Sequence, residues 1–315
     1  SRMPLGSTQE LKMTDAEFRM FCELVKSRCG LHFDQNSRFL VEKRLARRMQ
    51  EIGIGSFAAY HFLLRDGSRG EQEFAEAVDL LTTNETYFFR EYGQLTALVS
   101  EVIPDIRQRK RESGAGGPVS IWSAGCSSGE EPLSVVIMAM EAGLEPGKDF
   151  RVYASDISRA VLAKSRRGVY REASFRETSS ERRKRHFEEK DGQPRIRDEI
   201  KKHVDFMHLN LLDAGRISLL GTMDVILCRN VIIYFDLETK KKVMQTFYDK
   251  LRPGGYLLLG HSESLISVST AFELKHLKRD LVYRRPLAGE ETSDPWHRIA
   301  RAAVAAADRP ERPRR

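Results

Sequence analysis

Apolar residues recur at helical spacing through the first eighty or so positions, and strand-like runs begin only beyond residue 118. In TDAEFRMFCELVKSRCG, Phe18, Phe21, Cys22 and Val25 fall at helical spacing, with Thr14 as a capping candidate and Gly30 as a stop. NSRFLVEKRLARRMQEIG predicts a second helix, capped near Asn36 and stopped by Gly53. Val41, Leu45, Met49 and Ile52 share one arc of it, and Lys43, Arg44, Arg47 and Arg48 fall on the opposite side. SFAAYHFLLRDG and GEQEFAEAVDLLTTNETYFFRE read as further helices, and RQRKRESGAGGP as a charged, glycine-rich linker. Strands and helices then alternate. Strands are predicted at 119–123, 151–155, near 204–208 and 223–228, and at 255–260. Helices are predicted at 131–142, 158–166 and 238–251. That alternation is the pattern of a doubly wound sheet.

Between these elements, the polar run 168–203 breaks the rhythm and reads as an insertion before the third strand. The expected organisation is a helical domain over 14–90, a linker helix and loop over 91–118, an α/β domain over 119–286, and a C-terminal extension over 287–315. The leading residues, SRMPLGSTQELKM, lack an apolar core and read as a loose leader rather than a signal peptide. No apolar run approaches the roughly 20 residues of a spanning helix. Four cysteines without a CxxC pair, with scattered histidines, argue against zinc and fit a reducing cytoplasm.

Charge sharpens the picture at one place. The formal net charge is +7, and residues 164–203 hold 14 Lys/Arg against 8 Asp/Glu. The excess is therefore local, which suggests a basic surface on the insertion rather than a general nucleic-acid binder.

The most informative stretch is IWSAGCSSGEEP, residues 121–132. A glycine loop leaving the first strand of such a sheet is the usual ligand crevice. It lacks the middle glycine of GxGxxG, and Glu130 and Glu131 follow it, so pyrophosphate is disfavoured. A cationic cofactor without phosphate resolves the conflict, and S-adenosylmethionine is one. Asp156, ending the second strand in VYASDIS, is placed to accept from ribose hydroxyls, or else to cap the next helix. Asn210 in LNLLD could read an adenine edge, and MDVILCRNVIIYF and LRPGGYLLLG give the fourth strand and the turn into the fifth.

In this order the segments LTTNETYFFRE, WSAGCSSGEEP, YASDIS, HLNLLD and CRNVIIYFD resemble the chemotaxis receptor methyltransferases over about residues 14–286. TTNETYFFR is the most specific of them, whereas the glycine loop and Pro-Gly-Gly turn are shared with many methyltransferases. The resemblance implies a small all-helical N-terminal domain followed by a Rossmann-like S-adenosylmethionine methyltransferase domain with an inserted small antiparallel β-subdomain. It implies methyl transfer from S-adenosyl-L-methionine to receptor glutamates, leaving S-adenosyl-L-homocysteine. It assigns cofactor contacts to Asn84, Thr86, Arg90, Glu131, Asp156, Asn210, Leu211, Arg229 and Asn230. Arg90 and Tyr234 fall next to the methyl-transfer site, and Lys43, Arg44, Arg47 and Arg48 on the receptor-binding helix. Cys126 stands where related sequences often have alanine, a difference of packing. The partner implied is the helical cytoplasmic domain of a chemoreceptor. The enzyme is expected to act as a cytoplasmic monomer recruited to receptors at the inner membrane, with no nucleic acid and no membrane insertion.

Two competing signals are weaker. RNVIIY has none of the prolines that DNA amino-methyltransferases usually place after the fourth strand. GHSES at 260–264 fails as a nucleophile elbow because Ser264 stands where glycine is required, so it reads as the end of the fifth strand.

Overall fold

The computed structural model describes residues 11–289. By internal contacts the chain separates into two compact units that meet between Thr83 and Asn84.

The first unit is helical: α1 (Asp15–Cys29), α2 (Arg38–Glu51), α3 (Phe57–Leu64) and α4 (Gly67–Leu81). Thr14 and Glu17 form the reciprocal capping box at the start of α1, and Gly30 closes it at φ 78°, a left-handed turn suited to glycine. Phe18, Phe21 and Val25 from α1, Val41, Leu45 and Met49 from α2, and Tyr60 and Leu64 from α3 form its core. The helix predicted through Glu91 stops at Leu81. Residues 82–91 cannot continue it, because Phe89 and Glu91 take left-handed φ values of 62° and 54°.

In the second unit, α5 (Tyr92–Ala97) and α6 (Ile103–Glu112) lead into β1 (Val119–Ala124). Residues 107–112 are thus helix rather than linker. Only Ile103 and Ile106 of α6 are buried, and residues 107–112 are all polar, so that stretch carries no apolar period. There follow α7 (Glu130–Glu141), β2 (Phe150–Asp156), α8 (Arg159–Arg167) and α9 (Ser180–His186). The chain continues through β3 (Phe187–Lys190), β4 (Gln193–Ile196), α10 (Asp198–Lys201), β5 (Val204–His208), α11 (Ala214–Ser218) and β6 (Met223–Cys228). The last elements are α12 (Leu237–Lys250), β7 (Leu251–Leu259), β8 (Glu273–His276) and β9 (Leu281–Arg284).

Seven strands form one sheet in the order β5-β2-β1-β6-β7-β9-β8, and β3 and β4 form a separate antiparallel pair in the insertion. The first five strands of that order run parallel, β9 runs antiparallel to β7, and β8 runs antiparallel to β9. Arg252-Pro-Gly-Gly255 lies within β7 rather than before it, where the pairing with β6 jumps register. The β8–β9 hairpin has no counterpart among the strands predicted from sequence.

The chain runs from β1 outward to β2 and β5, then returns to β6 on β1's other side. That reversal opens a crevice at the carboxyl ends of β1 and β6. The insertion is fixed by aromatic packing. Phe88 is fully buried, with ring centroids 4.7 Å from Tyr170, 5.5 Å from Phe175 and 4.9 Å from Phe187. No helix among the described residues is long and apolar enough to cross a membrane.

Candidate active site

Three loops meet at the crevice: residues 84–91, the glycine loop 125–129, and 229–234 after β6. The glycine loop is folded on itself. Gly125 and Cys126 N–H donate to the Ser155 carbonyl, Ser127 N–H to Asp156 Oδ2 at 2.8 Å, and Gly129 N–H to the Cys126 carbonyl. A phosphate cradle needs such N–H groups directed at the ligand. Here they are committed internally, which agrees with the missing fingerprint glycine. Gly125 (φ 78°) cannot be replaced cheaply, because a Cβ there would come within 2.5 Å of Val231 Cγ2.

The two carboxylates after the loop have separate roles. Glu130 turns toward the insertion and accepts from the Ser128 hydroxyl at 2.7 Å and the Ser174 hydroxyl at 3.0 Å. Glu131 turns into the crevice, accepts from the Ser123 hydroxyl at 2.6 Å, and faces Arg229 Nη1 at 3.2 Å. The sequence reading set both carboxylates against pyrophosphate and gave Glu131 alone to the cofactor. The structure removes Glu130 from the crevice and gives Glu131 a protein partner.

Arg229 organises the crevice. Its side chain is 2 % exposed and also donates to the Arg90 carbonyl and to Glu91 Oε2 at 3.3 Å. Two carboxylates therefore share one guanidinium, leaving one negative charge uncompensated within the triad. Its Nε is buried without a hydrogen-bond partner. Burial pushes the Glu131 carboxyl up, and Arg229 and Ser123 only partly oppose this. Burial also acts on Glu91, but Arg229 and His261 outweigh it and hold that carboxyl below its usual range. Apolar residues of similar volume are often at least as stabilising as such a cluster, so stability alone does not account for it.

A fourth carboxylate, Glu263, fixes the β6 exit. It accepts from the backbone N–H groups of Asn230 (2.7 Å), Val231 (2.9 Å), Ile233 (3.3 Å) and Gly260 (2.8 Å). Asn230 is held left-handed at φ 60°, and its amide approaches Glu91 Oε1 at 3.4 Å. Six described non-glycine residues have left-handed φ, and Phe89, Glu91, Ser127 and Asn230 of these lie on the three loops. Backbone strain of this kind persists where surrounding bonds over-determine it, and it concentrates at functional sites.

Asp156 does two things at once. It holds Ser127 N–H, and its Oδ1 accepts from Ser158 N–H at 2.9 Å at the entrance to α8. The cap of α8 is Ser158, whose hydroxyl accepts from Val161 N–H at 3.3 Å, so Asp156 steadies the cap residue rather than serving as the cap. Asn84 presents its carbonyl to the Ser127 hydroxyl at 3.4 Å. Asn210 lies two residues beyond β5 and accepts from Leu212 N–H at 2.9 Å, while Thr86 and Leu211 are half-buried. Arg90 directs Nη1 to the Glu85 carbonyl at 2.9 Å, and Tyr234 is half-buried in the turn after β6. The structure thus joins Glu131, Arg229, Glu91 and Asn230 in one bonded set, and Asp156 to Asn84 through Ser127. It records no bond from Arg90's side chain or Tyr234's hydroxyl to that set. Glu91 and Glu263 were missed by sequence reasoning. Glu91 directly follows the most specific motif, and Glu263 sits inside GHSES, read as a failed serine site and the end of the fifth strand, whereas β7 ends before it at Leu259.

In the helical unit, the basic residues of α2 divide into two kinds. Arg48 forms a two-pronged pair with buried Glu73 at 2.9 and 2.8 Å, completed by the Tyr60 hydroxyl at 2.7 Å. Burial alone would raise Glu73's carboxyl, but Arg48 and Tyr60 bring it below its usual range. Arg44 caps the last carbonyls of α4, donating to Leu80 at 2.9 Å. Lys43 and Arg47 face solvent, with Arg47 paired only to exposed Glu51 at 3.4 Å. The four do not form one free basic stripe as the helical wheel implied.

Residues 84–280 match the CheR methyltransferase SAM binding domain, and residues 16–82 match the CheR methyltransferase all-alpha domain. The chain is 36% identical over 283 residues to chemotaxis protein methyltransferase 2 of Vibrio cholerae, covering 89% of this chain and 96% of that one. It is 35% identical over 276 residues to the chemotaxis protein methyltransferase of Salmonella typhimurium, covering 86% and 91%. With chemotaxis protein methyltransferase 1 of Pseudomonas aeruginosa it shares 33% identity over 282 residues, covering 87% and 99%.

Proposed function

The chain belongs to the CheR methyltransferase family, a group of S-adenosylmethionine-dependent enzymes of chemotaxis, and from that premise we propose how its own residues serve the reaction. The substrate is a set of glutamate side chains on the helical cytoplasmic domain of a chemoreceptor, and the product is a glutamyl methyl ester. We place this action in the cytoplasm, by a monomer recruited to receptors at the inner membrane.

One observation carries the assignment: the Glu91–Arg229–Glu131 triad at the topological switch point holds more negative than positive charge. The cofactor has a sulfonium, an ammonium and a carboxylate, so its net charge complements that excess. Glu131 accepts the ammonium, and Arg229 keeps Glu131 and Glu91 in place. Asp156 accepts from the ribose hydroxyls while anchoring the glycine loop. Asn210 and Leu211 take the adenine side, and Asn84, Thr86 and Asn230 close the crevice from the two flanking loops. The cofactor supplies an electrophilic methyl group on sulfur.

The chain's residues need to do little proton chemistry. A glutamate carboxylate is ionised at neutral pH, its reference pKa being about 4.3. The work is alignment of that carboxylate in a water-poor crevice, and good orientation can supply roughly 7–11 kcal/mol. Tyr234 aims the nucleophile through its hydroxyl. Arg90 orients a carboxylate at the rim without binding the attacking oxygen tightly, which would blunt it. On α2, Lys43 and Arg47 meet the acidic receptor helix directly, and Arg44 and Arg48 hold that face rigid.

The test is transfer of labelled methyl from S-adenosylmethionine by the purified chain to a receptor cytoplasmic fragment from the same cell. Base-labile label on the fragment is expected. Transfer only to nucleic acid or small molecules would refute the reading.

A further inference from the structure

One crevice loop also meets the basic insertion. Tyr87 of the 84–91 loop lies beneath two guanidinium groups, one from Arg90 of the same loop and one from Arg176 of the insertion. The Arg176 guanidinium carbon is 3.8 Å from the Tyr87 ring centroid, and that of Arg90 is 5.7 Å from it. Both distances fall within the reach of a cation–π contact.

The neighbours of these residues hold them in register. Phe88, next to Tyr87, and Phe175, next to Arg176, stack at 5.5 Å with 24° between their planes. Phe88 N–H donates to the Ser174 carbonyl at 2.9 Å. Both phenylalanines are buried, whereas the Arg176 side chain is 43% exposed. A buried aromatic footing thus sets one cation of the insertion beside the crevice loop.

Both arginines engage a single residue of that loop. Arg176 Nη2 faces Glu85 Oε1 at 3.3 Å, and Arg90 Nη1 donates to the Glu85 carbonyl at 2.9 Å. The free enzyme therefore already holds a carboxylate on Arg176. The Glu85 side chain is 73% exposed, and an exposed pair of this kind is readily exchanged. Planar guanidinium groups match carboxylates in shape as well as charge.

We propose that Arg90 and Arg176 form a clamp for a second carboxylate of the substrate, an acidic side chain close to the glutamate being methylated. This rests on the receptor-methylation reading, which sets Arg90 at the rim of the reaction centre. The clamped carboxylate is not the attacking one. Two cations on the nucleophile would withdraw electron density from it and blunt it. Held on a neighbouring side chain instead, they fix the substrate and leave the attacking oxygen free. Glu85 occupies Arg176 until the substrate arrives, and exchanging one carboxylate for another keeps the ion pair. The insertion thereby helps to choose among glutamates, favouring those with an acidic neighbour.

The experiment measures labelled methyl transfer to a receptor cytoplasmic fragment by the wild-type enzyme, Arg176→Gln and Glu85→Gln. Calorimetry with S-adenosylhomocysteine checks that each variant is folded and binds cofactor as the wild type does. The two changes break the same ion pair. If that pair only braced the insertion, both would shift the receptor KM alike. The clamp predicts opposite shifts. Arg176→Gln should raise KM about tenfold, the scale of one hydrogen bond to a charged group at a part-exposed site. Glu85→Gln should lower KM about twofold, by removing a weak competitor. Arg176→Lys should recover part of the loss, because it keeps the charge without the planar fork. In the fragment, the acidic residues near each methylated glutamate are replaced singly by glutamine. One replacement should cost the wild-type enzyme about tenfold and cost Arg176→Gln little more, since both remove the same contact. An unchanged KM in Arg176→Gln, a KM that does not fall in Glu85→Gln, or fully multiplicative losses would overturn the clamp while leaving receptor methylation intact. No methylation by the wild-type enzyme would overturn both.

Discussion

Each unit of this chain holds a buried arginine–glutamate cluster, and the two clusters are built to opposite rules. In the helical unit, one guanidinium meets one buried carboxylate through two hydrogen bonds, and a tyrosine hydroxyl supplies a third. Among the described residues, the only other carboxylate paired with that guanidinium, Glu51 at 3.6 Å, is exposed to solvent. Charge balances there, and Glu73's carboxyl ends below its ordinary range. In the catalytic unit, one guanidinium serves two carboxylates, its Nε is unpartnered, and Glu131's carboxyl ends above its ordinary range. Strained backbone surrounds only the second cluster. A balanced, satisfied cluster reads as structure. An unbalanced one, held by strained loops at a switch point, reads as a seat for a charge that arrives from outside.

Removing each arginine separates the two rules most sharply. Arg229→Ala leaves two carboxylates without their cation in a dry crevice, a change worth about 3–5 kcal/mol. Urea unfolding should show that loss, and cofactor binding should disappear with it. Arg229→Lys should rescue poorly, because an ammonium cannot span both carboxylates as the fork does. Arg48→Ala should cost about 1–3 kcal/mol, less because its side chain is 23% exposed. It should leave S-adenosylhomocysteine affinity unchanged, and equal effects of the two on cofactor binding would erase the distinction.

Tyr234→Phe should lower the methyl-transfer rate about tenfold, near 1.4 kcal/mol, with cofactor affinity retained. A normal single-turnover rate would reduce Tyr234 to packing. The smallest effect on stability belongs to the exposed side of α2. Lys43→Glu with Arg47→Glu should change unfolding free energy by no more than about 0.5 kcal/mol. The same pair should raise the receptor KM, and the wild-type KM should rise with added salt as exposed charges are screened. Reversing Arg44 and Arg48 instead would confound this test, since both hold the helical unit together.

The parts legible in sequence were those with a strong period or a short fixed motif. The parallel strands β1, β2, β5 and β6 and helices α7, α8 and α12 fall within a residue or so of their predicted bounds. A helix was expected within 91–118, but its end at Glu112 was not, because RQRKRE is wholly polar and periodicity had nothing to register there. The segment 82–91 was over-extended as helix because Phe88 and Phe89 continue an apolar spacing. Their burial serves the second unit, with Phe88 in the insertion's aromatic cluster and Phe89 N–H on Ser134 at 2.9 Å. Strands β8 and β9 are four residues each, too short to signal against a charged background. At the site, Glu131 and Asp156 were readable from their place after strands. Glu91 and Glu263 were not, because their roles depend on pairing with residues 138 and 33 positions away.

The central claim is that Glu131 seats the cofactor's ammonium, and a titration of Glu131→Gln with S-adenosylhomocysteine across pH tests it most directly. In the free enzyme Glu131's carboxyl lies above its ordinary 4.5, so ionising it weakens the fold as pH rises from 4.5 through the raised value. A bound ammonium favours the ionised form and reverses that penalty. Wild-type affinity should therefore fall as pH is lowered from neutral through Glu131's range, with a proton released on binding there. Glu131→Gln should bind about ten- to a hundredfold more weakly at neutral pH, the worth of a hydrogen bond to a charged group. Its affinity should also be nearly flat with pH over that range. A folded Glu131→Gln protein that binds as tightly as wild type, with the same pH dependence, would contradict the account.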